Sequence, residues 1–180
     1  MAVTLKVNFE DAAPQAALAR ASFGAVDMTE LMDLIGTVLV NGAVERISTT
    51  NVSPDGVPWP KSLRAMLGGG EEGEPGAGNA GPTLHDTGRL MRSITSEAEP
   101  SRVAIGSNLI YAGVHQTGAT ITPKTKGALF FTLANGEQVI ATSVKIPARP
   151  YLGISQDERA DIEDLSLQYF ADLLDQELPR

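Results

Sequence analysis

The chain has 180 residues, 42% of them hydrophobic and 20% charged, a size and composition that predict a single domain over 1–180 with its own core. Its lack of cysteine excludes disulfides and thiolate zinc sites, and a formal charge of -8 argues against general attraction to nucleic-acid phosphates. No signal-peptide pattern and no run of about 18 apolar residues is present, so a soluble protein made in the cytoplasm, with no membrane partner, is expected.

Residues 4–9 alternate apolar and polar, with Leu5, Val7 and Phe9 on one face, and predict a strand. Residues 14–23 are alanine-rich behind Pro14 and predict a weak helix. A firmer helix is expected from Asp27, a capping residue with Glu30 three positions on, to about Ile47; Met28, Leu31, Met32, Ile35, Val38, Leu39, Val44 and Ile47 recur at helical spacing. Within it, Gly36 and Gly42 weaken the helix or let another backbone approach closely.

Residues 53–60 are too rich in proline for regular structure and predict a turn followed by an extended piece, with Trp59 as its anchor. Residues 67–82 are dominated by glycine, cannot bury apolar area and predict a long flexible loop. It is no phosphate-binding loop, because the Gly-Lys-Ser/Thr ending is missing.

Residues 87–94 predict a short helix capped by Asp86, with Leu90, Met91 and Ile94 inward and Arg89 and Arg92 outward. Residues 102–107 alternate as a strand, Val103 and Ile105 sharing a face. Residues 129–133 and 137–146 flank Asn135-Gly136, a strong hairpin signal, and a two-residue turn would set Phe131 opposite Ile140. A final helix over 155–177 starts with the Ser155/Glu158 capping box and turns Ile162, Leu165, Tyr169, Phe170, Leu173 and Leu174 inward. Together these elements predict an α+β fold, an antiparallel β-sheet of about four to five strands packed against two long helices.

The chemistry-bearing residues are sparse. His85 and His115 are the two histidines; neither has a His-x-x-x-His or Glu-x-x-His spacing, and no Gly-x-Ser-x-Gly elbow places Ser93 or Ser107 as a nucleophile. No catalytic, metal or cofactor site is therefore expected, and the histidines are expected to make structural hydrogen bonds. Arg149 is set between Pro147 and Pro150, which stiffen the chain; its guanidinium is either exposed or presented to a carboxylate in a buried or intersubunit salt bridge. Residues 155–180 carry eight acids against two arginines, which reads first as a solvated helix face.

Four pieces occur in a fixed order: Asp55-Gly56-Val57-Pro58-Trp59-Pro60; Leu84-His85-Asp86-Thr87-Gly88-Arg89-Leu90 with Ser93-Ile94; Ile105-Gly106-Ser107-Asn108 with Tyr111-Ala112 and His115-Gln116-Thr117-Gly118; and Ile146-Pro147-Ala148-Arg149-Pro150-Tyr151-Leu152-Gly153. In this order they resemble the phage virion morphogenesis family of tail-completion or neck proteins. The glycine-rich segment 67–82 departs from that pattern.

The resemblance implies a structural virion protein rather than an enzyme. It would form a ring, a hexamer, at the head–tail junction, terminating the tail tube and offering a surface to connector or neck proteins, with DNA only as passing cargo. A head-side stopper or adaptor is the nearest alternative. A hydrolase centred on His85 and Asp86 and a host-derived small-molecule binding domain are the alternatives of another class. The candidate structural or interface residues are Trp59, Asp86, Arg89, Tyr111, His115, Asn135, Gly136, Arg149 and Tyr151. The hairpin over 129–146 and the 67–82 loop are the expected contact elements, since ring subunits need lateral arms or sheet edges. The acidic surplus of the last helix, if it lined a channel, would keep DNA from sticking there.

Overall fold

The computed structural model describes residues 3–8, 27–67, 81–125, 127–133 and 136–177. In order these form β1 (Val3–Asn8), α1 (Thr29–Glu45) with a π-helical continuation (Arg46–Thr50), α2 (Leu63–Leu67), α3 (Arg89–Arg92), β2 (Ile94–Glu99) and β3 (Arg102–Ser107). There follow α4 (Ala112–Thr117), β4 (Ala119–Ile121), β5 (Leu129–Thr132), β6 (Gln138–Ala141), β7 (Val144–Ile146) and α5 (Gln156–Glu177). The expected helix over 14–23 and most of the 67–82 loop lie outside the described residues.

The fold is mixed helix and sheet, as an α+β chain should be, but the strands do not join into one sheet of four or five. They form an antiparallel three-stranded sheet, β1-β3-β2, and two separate two-stranded ribbons, β4-β7 and β5-β6. The split arises because the second limb of the expected hairpin breaks between Ala141 and Val144, so that β7 leaves β6 and pairs with β4, Ala119 opposite Ile146.

Helix α1 begins where the Asp27 carboxylate accepts the Thr29 N–H at 2.9 Å, which satisfies one orphan donor of the first turn. Its stripe of Leu31, Met32, Ile35, Leu39 and Ala43 is buried, and Ile47 extends it into the π turn. Each fully buried aliphatic side chain of this kind contributes about 1.5–3 kcal/mol. The helix crosses β2 and β3 at close range, because a Cβ on Gly36 would stand 2.8 Å from Ser96 Cβ and 3.0 Å from Val103 Cγ2. Val103 and Ile105 of β3 are fully buried beneath it. Helix α5 packs on α1, and Ile162 joins the same apolar cluster.

Three short elements run against the sequence expectation. Ile94, expected to end a helix, opens strand β2. Asp86 does not cap the short helix either: α3 starts later, at Arg89, behind Gly88 in the left-handed region (φ 72°), with no side-chain cap bond. Between Leu133 and Glu137 the hairpin turn holds three residues rather than two. Leu133 N–H donates to Glu137 O at 2.8 Å, Gly136 N–H donates to Leu133 O at 2.9 Å, and Gly136 adopts φ 84°. A three-residue loop ending in a left-handed glycine shifts the register by one, so Phe130 faces Ile140 and Phe131 faces Val139.

That shift decides what the ribbon exposes. Phe130 is 74% exposed and Ile140 68%, directly opposite one another on one face of β5-β6. Leu129, Phe131, Val139 and Ala141, on the other face, are half-buried.

Candidate functional site, a polar clamp beside a shallow cleft

The segment 146–155 organises the polar interior. Pro147 and Pro150 keep it extended and remove two N–H donors, leaving the remaining donors and carbonyls to be matched from outside. Arg149 N–H donates to His115 O at 2.7 Å. The Gln116 side chain matches the next stretch like a strand partner: its Oε1 accepts the N–H groups of Tyr151 and Leu152, each at 3.1 Å, while its Nε2 donates to Leu152 O at 2.9 Å. One amide thus satisfies three backbone groups.

Arg46 closes the clamp from the far side. Its Nε donates to Tyr151 O at 2.9 Å and its Nη2 to Gly153 O at 3.2 Å, while Nη1 pairs with Glu158 Oε1 at 2.9 Å. The other Glu158 oxygen accepts Ser155 N–H at 2.6 Å, and Ser155 Oγ accepts Glu158 N–H at 3.2 Å, which completes the capping box of α5. The side chains of this ion pair are only 6% and 9% exposed, so each charge depends on the other and on the surrounding carbonyls. Glu158 therefore leaves the solvated acidic face to which its sequence position assigned it.

Arg149 is also buried, at 5% exposure, but its partners are carbonyls: Nε donates to Pro60 O at 2.8 Å and Nη2 to Lys61 O at 3.3 Å. The guanidinium is thus neither exposed nor, among the described residues, paired with a carboxylate, the two arrangements expected of it, and it ties the clamp to the proline-rich turn that carries Trp59. Burial lowers the pKa of this guanidinium. Tyr151 is fully buried, its hydroxyl donating to Ala112 O at 3.4 Å, and burial pushes the phenol up to about 12, with Tyr111 adding to the shift. Gly118 makes room for the junction: at φ 74°, a Cβ there would lie 2.8 Å from Ala148 N.

Asn51, at the left-handed end of the π turn (φ 54°), joins two further pieces. Its carbonyl accepts Trp59 N–H at 2.9 Å and its side-chain oxygen accepts Thr83 N–H at 2.6 Å. Trp59 is 7% exposed and part of the core, its Nε1 buried without a hydrogen-bond partner among the described residues.

Next to the clamp lies an open cleft of about 250 Å³ formed by Thr83 and Leu84, by 86–90, and by Tyr111 and His115. It gathers four of the sequence candidates, Asp86, Arg89, Tyr111 and His115. Tyr111 and His115 meet edge to face, ring centres 6.1 Å apart. The His115 ring does not make the expected hydrogen bond at Nδ1, which is buried and unpartnered among the described residues. Its pKa is lowered, first by burial and then by the Arg149 charge.

Ser93 and Ser107, the hydroxyls nearest in sequence to a catalytic arrangement, are bonded to each other at 2.7 Å. Ser93 Oγ also meets Leu90 O at 2.6 Å, and Ser107 Oγ accepts Leu109 N–H at 3.2 Å. Among the described residues no group of three metal-ligating side chains occurs. What this arrangement does chemically is to hold backbone segments together.

Arg149 and Tyr151 thus belong to the clamp, while Gly136 sits at the turn of the β5-β6 ribbon and Asn135 lies outside the described residues. Sequence reasoning missed Arg46, Asn51 and the role of Gln116. A faint signal existed for the first: Gly42 and Arg46 are four apart on one helix face, and the space left by Gly42 is filled by the Glu158 carboxylate.

Compared with known proteins, residues 9–171 match the phage virion morphogenesis family. Two curated relatives are similar in part. The Mu-like prophage FluMu G protein 2 of Haemophilus influenzae is 34% identical over 90 residues, 50% of this chain and 53% of that protein. The putative capsid assembly protein G of Escherichia phage Mu is 34% identical over 84 residues, 46% of this chain and 41% of that protein. The matched stretches therefore span about half the length of these relatives or less. No solved structure matches.

Proposed function

The chain belongs to the phage virion morphogenesis family, and from that premise we propose that it is a self-associating structural subunit at the head–tail junction, one that completes the tail. It acts as a ring, a hexamer, set between the tail tube and the neck or connector proteins, with DNA as passing cargo and no catalytic step. The observation that carries this is the β5-β6 ribbon, whose Phe130 and Ile140 are 74% and 68% exposed as a cross-strand pair. A two-stranded ribbon is marginal alone, and an exposed apolar pair on it gains stability when a partner covers it. The engaged polar side chains of the clamp add support, because the family-like segments are spent on holding the protomer together.

One observation favours a head-side role as a second reading. The phage Mu relative is named for capsid assembly, which suits a stopper or adaptor of the head. Particles made without the protein separate the two. Free, filled heads beside overlong tails are expected for tail completion; leaking or malformed heads with normal tails would replace it by the head-side role.

A further inference from the structure

The ribbon needs an occupant for its exposed face, and the described residues include a surface of complementary character. Residues 119–146, which include the ribbon, hold Lys124, Lys126 and Lys145 against Glu137, a local charge of +2 in a chain of net charge -8. Lys124, in the loop before β5, and Lys145, on β7, are exposed, as are Phe130 and Ile140, which lie between them in sequence. Helix α5 is the reverse. With Glu158 taken up by Arg46, seven acids remain over residues 156–177 against Arg159 alone.

Apolar character is also present on the outside of that helix. Ile162 is buried and Leu165 half-buried on the inner face, yet Leu167 is 58% exposed. At 100° per residue Leu167 falls on the outer face with Ala160 and Ala171, both exposed, seven residues before and four after it. Glu163 and Asp164, exposed too, flank this stripe. A solvated helix face gains nothing from an exposed leucine in its centre, whereas an apolar stripe with acids beside it fits an apolar ribbon whose neighbouring segments in the chain carry exposed lysines.

We propose that the β5-β6 ribbon of one copy docks across the outer face of α5 in a second copy, Phe130 and Ile140 covering Leu167 while the flanking lysines face Glu163 and Asp164. The two surfaces belong to different parts of the chain, so the contact is head-to-tail and repeats until a ring closes. It rests on the self-association proposed above and names its contact. It also removes the outer face of α5 from a DNA channel, the place that its acidity alone had suggested.

The absence of cysteine makes the test clean. Full-length Ile140→Cys and Leu167→Cys proteins, carrying different tags, are mixed and treated with a short bismaleimide, and the mixed-tag dimer is measured beside light scattering of the untreated proteins. Both positions are exposed, so neither substitution disturbs the core. An oligomer that yields mixed-tag product at least about tenfold above an Ile140→Cys and Thr49→Cys control pair is expected, since docking raises the local thiol concentration. An oligomer without that excess, or one that joins Ile140→Cys to itself, overturns this contact and leaves the ring standing. A parent chain that scatters as a monomer at every concentration overturns both.

Discussion

The clamp and the ribbon invert the ordinary rule of polar outside and apolar inside. Around residues 149–153 the interior is polar, with two arginines, a glutamate and a glutamine buried or half-buried and bonded to carbonyls and amides. On β5-β6 the surface is apolar, with a phenylalanine opposite an isoleucine. Buried polar groups cost free energy unless each is matched, and here the matching fixes one mutual arrangement of four short segments. Exposed apolar groups cost free energy in water, and a partner relieves it. The difference separates what holds a protomer in shape from what lets it find neighbours.

The comparison breaks most visibly at Arg46 and Glu158. Replacing Glu158 by Ala leaves a buried guanidinium without its carboxylate, an expected loss of about 3–5 kcal/mol in urea unfolding. The double change Arg46→Met with Glu158→Leu should recover part of that loss; equal losses in single and double variants would show that the charge pairing is immaterial. Gln116→Ala removes three backbone partners at once and should cost about 1–3 kcal/mol, with Gln116→Glu, which keeps the acceptor, costing less.

The ribbon should answer differently. Phe130→Ser with Ile140→Ser is expected to leave unfolding within about 0.5 kcal/mol of the parent when both are diluted until the parent too is a monomer. Self-association, followed by sedimentation, should be lost in the same variant.

The smallest effects are those of pH. His115 has a folded pKa below its ordinary value of 6.5, so the unfolded chain takes up the proton first; its contribution is complete above that pH and is lost as pH falls through the lower folded value. Tyr151 acts at the other end: its phenol titrates at about 12 in the fold against 10.0 ordinarily, so stability declines as pH rises between those values. Urea midpoints of the parent and of His115→Leu across pH 5–8 check the first, because the slope should flatten in the variant.

What the sequence disclosed was local. The Ser155/Glu158 capping box, the Leu31-to-Ile47 stripe and the alternation of β3 each depend on neighbours within a few positions, and all three appear in the structure. Strand β2, Ile-Thr-Ser-Glu-Ala-Glu, gave no signal because its inward positions after Ile94 are Ser96 and Ala98, small residues that suit the close approach of Gly36. Helix α4 is six residues long, too short for its periodicity to stand out from an apolar run. The Asn-Gly pair announced the hairpin but not its three-residue turn, and that one position decided which phenylalanine faces Ile140.

The candidate site was legible as a list of residues and illegible as an arrangement. Arg149, Tyr151 and His115 stood out, but Arg46 pairs with a residue 112 positions away, and no local pattern encodes such a meeting. Glu158 shows the limit within one side chain: one oxygen serves the cap that sequence foretold, and the other meets an arginine that it did not.

The central claim, that the clamp holds the protomer while the ribbon assembles it, is tested most directly by light scattering of the full chain beside its Phe130→Asp, Ile140→Asp double variant. The parent should scatter as a closed oligomer and the variant as a folded monomer that still unfolds in one cooperative urea transition. A monomeric parent, or a variant that still assembles, would contradict it.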